Sequence, residues 1–524
     1  MQLGVKLLLI AASVMVSSCA LDVKVKEDWN HSLIAPIPLS EAAVVWDEIK
    51  SGRMPDPARL SLYNTAVRDS VVQIGANWAT GDRPLSSIKT PEGDVELKLV
   101  SGAIGQYQSL EQVVPADFVH VKRGFEEETV VEGVGASLVV RQPWSERDSM
   151  MPESGLWYPV TAVLNLDQPR QPVLELIDPT RKSDLTFRGK SLPLSVNYTA
   201  SFARDVYDRQ KLFPNTAGLF RFEKYADRMG LHRVSAFDPE KQVCILVHGI
   251  YSSPSTWDAT LNQFYGNKAL RERYEFWTFG YPTGALIPYL AAELRESIDE
   301  MQAFRQKNEA TNRSVVMVGH SMGGLLSKST TLRGGDEDWN QLFKVPVDEL
   351  KVSSEYRETL RRLVYYEPVS GIDKVIFCST PHRGSKMASK PGGKLIGALV
   401  QMPAQLSNAG AEILKSGENI LTPLGWEVAK GNLTSLGQLR PNSLLSTGFL
   451  NKPLNPAVVY HSVIGREDTH GSGVPLVESS DGVVAYTSSH IEGVKSEAVI
   501  ENSPHGVHRE PDGIQELIRL LLLP

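Results

Sequence analysis

Cysteine is scarce in this sequence, with only Cys19, Cys244 and Cys378 among 524 residues. So few thiols exclude a disulfide scaffold, and no Cys/His spacing of the zinc-binding kind occurs. Cys244 and Cys378 lie inside apolar runs and read as inert thiols on separate buried strands, with a single disulfide between them left open. Dense Lys/Arg tracts are also missing and the net charge is only -7, so nucleic acid is not an expected partner. No apolar run approaches the roughly 20 residues that cross a bilayer as a helix. With 42% apolar and 22% charged residues the chain belongs with globular proteins folded in water, not with disordered or multi-span membrane chains.

The longest apolar run is at the start, where Lys6 precedes Leu7 to Val16 and the small residues Ser17 and Ser18 lead to Cys19. Residues 1–18 therefore read as a signal peptide. Val16-Ser17-Ser18-Cys19 resembles the bacterial lipobox. That resemblance implies removal of the peptide and acylation of Cys19, which would tie the protein to a membrane of the cell envelope; more than one acyl chain makes such an anchor stable. Ala20 after the cysteine implies, on the same resemblance, routing to the outer membrane. A secretory peptide cut nearby, leaving a soluble protein, is the alternative.

A chain of 524 residues exceeds one ordinary core, and at roughly 150 residues per domain it allows two to four. The texture supports two. Residues 19–213 begin helical, with Ser40 as the expected N-cap of a helix through Trp46. They then become β-rich from Val95 to about Val196, in short runs such as Val95 to Val100 and Ala136 to Val140. This accessory domain holds no constellation tied to chemistry. Residues 214–524 alternate apolar runs (Val243 to Val247, Glu275 to Phe279, Val315 to Val318, Val375 to Cys378, Val458 to Ile464, Ala498 to Ile500) with helical segments such as Leu286 to Arg305 and Ile514 to Leu523. Such alternation predicts an α/β fold, a mostly parallel sheet with helices on both faces. Ligands then bind beyond the carboxyl ends of the strands.

Chemistry concentrates at those ends. Val315 to Val318 runs into Gly319-His320-Ser321-Met322-Gly323-Gly324 before a helical segment, a strand, sharp turn and helix that would raise the Ser321 hydroxyl above the sheet. Val243 to Val247 ends in His248-Gly249-Ile250. After Val458 to Ile464 come the acids Glu467, Asp468, Glu478 and Asp481; Ser480-Asp481-Gly482-Val483-Val484 is the favoured holder of a rigid carboxylate. After Ala498 to Ile500 come His505 and His508, with His505, between Pro504 and Gly506, preferred over a more surface-like His508. Residues from about Gln242 to Pro524 thus resemble the α/β-hydrolase superfamily and, within it, bacterial lipase-like and GPI inositol-deacylase-like esterases. Ser379-Thr380-Pro381-His382-Arg383-Gly384-Ser385 resembles that family's loop after the sixth strand, which makes His382 a loop residue and not the base.

The resemblance implies a serine hydrolase with Ser321 as nucleophile, Asp481 and His505 completing the triad, and the amides of Ile250 and Met322 as the oxyanion hole. Acyl transfer of this kind requires no cofactor and no metal. The long insertion of about residues 386–457, with apolar stretches Leu395 to Val400 and Ala409 to Leu414, reads as a cap over Ser321, or else as helices that complete the core. An apolar cap implies lipid or other apolar acyl esters as substrates. Transfer of the acyl group to another acceptor, and a hydrolase scaffold that only binds, are the rival functions. Mass spectrometry of membrane-extracted protein is expected to find acylated Cys19 as the first residue; unmodified mature protein free in the periplasm contradicts this.

Overall fold

The computed structural model describes residues 23–27, 35–74, 85–100, 111–125, 127–146, 148–212, 229–385, 404–415, 420–430, 438–439, 451–467 and 474–524. Cys19, the signal segment, Asp468, the stretch Leu395 to Val400 and the boundary placed at residues 213/214 lie outside the described residues.

The C-terminal half is built on seven strands, β1 (Gly230–Arg233), β2 (Gln242–Val247), β3 (Tyr274–Gly280), β4 (Val315–His320), β5 (Ile372–Cys378), β6 (Val459–Arg466) and β7 (Ser496–Glu501), in the order β1-β3-β2-β4-β5-β6-β7. All neighbours are parallel except β1 with β3. Strands β2 to β7 coincide with the six apolar runs. The edge strand β1 was not legible, because Gly-Leu-His-Arg is short and only alternately buried. Every residue of β2 and β4 is buried, as expected for central strands covered on both faces. Alternate residues feed two layers. Val243, Ile245, Val247, Val315 and Met317 pack with Leu290, Leu294 and Leu325, whereas Cys244, Leu246, Val316 and Val318 pack with Leu261, Phe264, Leu517 and Leu521. The first layer's helices include Ile287–Lys307 and Met322–Ser329, and the second layer's Asp258–Gly266 and Pro511–Leu522. Cys244 and Cys378 are both free; they sit on β2 and β5 with β4 between them, too far apart for a disulfide.

The chain leaves β2 for β3 on one side and returns to β4 on the other, so the carboxyl ends of β2 and β4 form the switch point where ligands bind in such sheets.

The N-terminal half contains a six-stranded sheet with spatial order Leu85–Thr90, Gly93–Val100, Val173–Ile177, Leu156–Asn165, Ala136–Gln142, Gln112–Pro115. Helices Leu39–Lys50 and Pro57–Ile74 cover one face through Val45, Trp46, Ile49, Val67 and Val71. Ser40 is not the cap of the first of these. The helix begins at Leu39 after Pro38, and the Ser40 hydroxyl, already inside the first turn, donates to Glu92 Oε1 at 3.4 Å. On the other face Val114, Val139 and Trp157 meet Ala200 of α1 (Tyr198–Leu212), whose Phe202, Ala203 and Val206 share a cluster with Phe264 and Tyr265 of α2 (Asp258–Gly266).

In the insertion, helices Ala404–Lys415 and Pro423–Ala429 pack on each other and on Asp336–Leu342 and Ser354–Val364. Ile413 and Leu421 are buried with Trp339 and Phe343. The described part of the expected cap therefore completes the helical layer.

Tyr63, fully buried, donates its hydroxyl to the Leu164 carbonyl at 2.8 Å and accepts the Leu164 N–H at 3.0 Å. Tyr63→Phe is expected to cost about 1–3 kcal/mol in chemical denaturation while leaving steady-state activity unchanged, since it orphans both strand groups.

Candidate active site

The turn after β4 is held by sterics. Ser321 has φ 54° and ψ -123°, a conformation costing roughly 1–3 kcal/mol in an L-residue. It persists because the Ser321 N–H donates to the Cys378 carbonyl at 2.9 Å and because the next turn fits only glycine: a Cβ on Gly323 would stand 2.3 Å from the Val247 carbonyl oxygen. Gly249, in the loop after β2, also stands close, its Cβ position 2.9 Å from that of Ser321. The loop bearing Ile250 and the helix beginning at Met322 thus converge on one serine. Among the described residues, neither the Ile250 nor the Met322 N–H donates within the protein. The Tyr281 hydroxyl donates to the His248 carbonyl at 2.5 Å and its ring stacks on His248 at 4.0 Å, which fixes the base of the same loop.

Strands β6 and β7 supply the other two groups. His505 Nε2 lies 3.0 Å from Ser321 Oγ, and His505 Nδ1 lies 2.7 Å from Asp481 Oδ2. Asp481 is 1% exposed. Its turn is closed by the Asp481 N–H on the Val484 carbonyl at 3.2 Å, while its Oδ1 accepts the N–H groups of Val483 at 2.9 Å and Val484 at 2.7 Å. Burial opposes ionisation of Asp481, but the His505 imidazole and these two amides outweigh it and hold the carboxyl below its usual range. The turn also rests on Ser385, whose hydroxyl donates to the Val483 carbonyl at 2.6 Å. The rival acids Glu467 and Glu478 are exposed.

The structure corrects one expectation about the second histidine. His508 is no surface residue: it is 1% exposed, with Nε2 2.9 Å from Thr256 Oγ1. His382 is buried edge-on against Phe377, with ring centroids 4.7 Å apart, and makes none of the hydrogen bonds among Ser321, His505 and Asp481. Sequence reasoning missed His320, treated only as the variable position of the elbow. Its Nε2–H donates to the His505 carbonyl at 2.9 Å, and its place directly before Ser321 was the only available signal.

A seven-stranded, mostly parallel sheet carrying a Ser–His–Asp hydrogen-bonded chain on the carboxyl ends of its strands defines an α/β hydrolase. The chain belongs to the alpha/beta hydrolase family, whose model matches residues 244–516, just over half its length. No curated protein matches it. Among solved structures it is similar to a mature Bacillus licheniformis lipase (15% identity, TM-score 0.32, covering 55% of this chain and 95% of that one). It is also similar to lipase 1 from Pelosinus fermentans (13% identity, TM-score 0.31, 55% and 100%). A lipase-esterase related protein from Clostridium acetobutylicum is similar at 12% identity and TM-score 0.26, covering 56% and 99%. Likenesses this distant do not bear on activity.

Burial is the leading cause that holds His320, His382 and His508 well below the usual imidazole range and His248 at about 4. Their unfolded counterparts protonate below about pH 6.5. The stability they contribute is therefore present above that pH and lost as pH falls towards the folded values, at about 1.4 kcal/mol per group per unit. Asp258, pushed up to about 6 by burial, works the other way, as do Asp178, Asp205 and Glu275, which burial also raises. The imidazoles dominate between pH 6.5 and 5.5, so calorimetry should give a lower Tm at pH 5.5 than at pH 7.5; an equal or higher value contradicts the assignment.

Proposed function

We propose that the chain is a serine carboxylic-ester hydrolase of lipase or esterase type. The observation that carries this is the continuous hydrogen-bonded path from Ser321 Oγ through His505 to Asp481, at 3.0 and 2.7 Å, on a strained elbow. His505 Nε2 takes the hydroxyl proton as Ser321 Oγ bonds to the carbonyl carbon. The carbonyl π electrons move to oxygen, and the oxyanion is received by the Ile250 and Met322 amides. Collapse of this intermediate breaks the ester C–O bond, and the alkoxide leaves with the proton from His505. Water, deprotonated by the same imidazole, then attacks the acyl-enzyme; the acid is released and Ser321 regains its proton. Asp481 stays ionised throughout, orienting the imidazole and stabilising the imidazolium.

An apolar acyl group is supported by Ile250, half-buried at the oxyanion loop. We propose further, on the lipobox resemblance of Val16-Ser17-Ser18-Cys19 and on Ala20, that the protein is anchored through Cys19 to the outer membrane, with a membrane lipid or another apolar ester within reach.

Purified protein should hydrolyse p-nitrophenyl esters of short or medium acyl chains and react with a fluorophosphonate at Ser321. Ser321→Ala and His505→Ala are each expected to lower kcat by about three orders of magnitude or more, with the Ser321→Ala protein unlabelled. Ester turnover by Ser321→Ala at the wild-type rate overturns the proposal.

A further inference from the structure

The backbone of the base is fixed from two sides. His320, next to the nucleophile, donates to the carbonyl of His505 itself. Three residues on, the His508 ring lies 4.1 Å from that of His320 and 4.5 Å from that of Trp257, with Thr256 Oγ1 at its Nε2. The His508 carbonyl accepts the Thr260 hydroxyl at 2.6 Å. All these outer partners belong to one strut, the turn Pro254–Trp257 and α2 that continues it.

Thr256 and Thr260, four residues apart, share one side of that strut; Asp258, Asn262 and Tyr265 fall on the opposite side. That second side is taken up by the N-terminal half. Arg209 Nη2 meets Asp258 Oδ1 at 3.0 Å, and the Thr199 hydroxyl donates to Asn262 Oδ1 at 2.7 Å. Asn262 Nδ2 donates to the Glu127 carbonyl at 3.0 Å, while the Tyr265 ring packs on Tyr198 and Phe202. Helix α2 therefore has the N-terminal half against one side and the catalytic histidine's loop against the other.

We propose that His508 is a positioning residue for His505, and that α2 makes this positioning depend on the docked N-terminal half. The inference rests on the reading of Ser321 and His505 as the reacting pair. Thr256 and His508 touch no reacting atom; what they set is where the His505 backbone stands. A displacement of about 1 Å between catalytic groups costs up to about 100-fold in rate, so loosening this anchor lowers kcat and leaves substrate binding alone.

The test uses the full-length protein, a p-nitrophenyl ester and a fluorophosphonate. Thr256→Val keeps the shape and removes the hydroxyl from His508. It should lower kcat, and the labelling rate of Ser321, by about tenfold with KM nearly unchanged. Thr256→Ser, which keeps the hydroxyl, should restore both. Thr199→Val removes the hydroxyl that holds Asn262 from the N-terminal side and should lower kcat in the same sense with KM unchanged. If Thr256→Val fails to melt cooperatively, Thr260→Val, which frees the His508 carbonyl, replaces it with the same expectation. A threonine-to-valine variant at either position with wild-type kcat and labelling overturns the proposal, as does a Thr256→Ser protein as slow as Thr256→Val. Thr199→Val at wild-type kcat overturns the share given to the N-terminal half. Wild-type protein that neither labels nor turns over ester fails at the underlying reading, before any variant is compared.

Discussion

At the site the end of β2 and the turn after β4 leave no room for a side chain between them, and the other groups are arranged around that contact. Gly323 faces the Val247 carbonyl and Gly249 faces Ser321 so closely that any side chain would force the two loops apart. The Ser321 elbow and the loop bearing Ile250 are thereby packed as one unit: Ile250 cannot shift relative to Ser321 without opening this contact. The strain stored at Ser321 is held by the same packing, together with its N–H bond to Cys378, so the hydroxyl stands where the loops place it rather than where its backbone would prefer. Strands β6 and β7 then deliver the carboxylate and imidazole to a target that is already fixed.

Electrostatics divide the buried groups into two kinds. Asp481 is as buried as the surrounding imidazoles, yet it remains ionised because two backbone amides and His505 face its oxygens. Among the described residues no carboxylate hydrogen-bonds to His320 or His508; the ring Nδ1 of each is unbonded, and burial keeps both neutral. Neutral rings are what the packing requires, since two imidazolium ions 4.1 Å apart would repel each other. Of the three neighbouring imidazoles His320, His505 and His508, only His505 has, among the described residues, both a hydroxyl and a carboxylate as partners.

The sheet and the hydrogen-bonded chain of Ser321, His505 and Asp481 were largely legible because their signals are local. Central parallel strands read as unbroken apolar runs, and the turn after β4 carries glycines where a side chain would collide. Ser480 to Val484 encodes its closed turn in five consecutive residues. What the sequence did not reveal depends on partners far along the chain. His508 looks like a surface residue until Thr256 and Thr260, some 250 positions away, close over it. The insertion's helices are apolar in either role, and only their packing on Trp339 and Phe343 shows that the described part completes the helical layer. The edge strand β1 has too few residues and too little burial to register as a pattern.

Helix α1 shows why the two halves cannot be understood as independent blocks. Its apolar side chains serve two cores at once, Ala200 towards the N-terminal sheet and Phe202, Ala203 and Val206 towards α2. Between them Arg209 bonds both Asp205, at 2.6 Å, and Asp258. Such a cluster is weak evidence for net stability, because desolvation of the carboxylates offsets much of the attraction; burial pushes Asp258 up to about 6 even with Arg209 beside it. Its consequence is geometric. Sliding α1 along α2 would leave a buried carboxylate without its guanidinium, at a cost of about 3–5 kcal/mol. Apolar area holds the halves together, and the ion cluster fixes the register in which they meet.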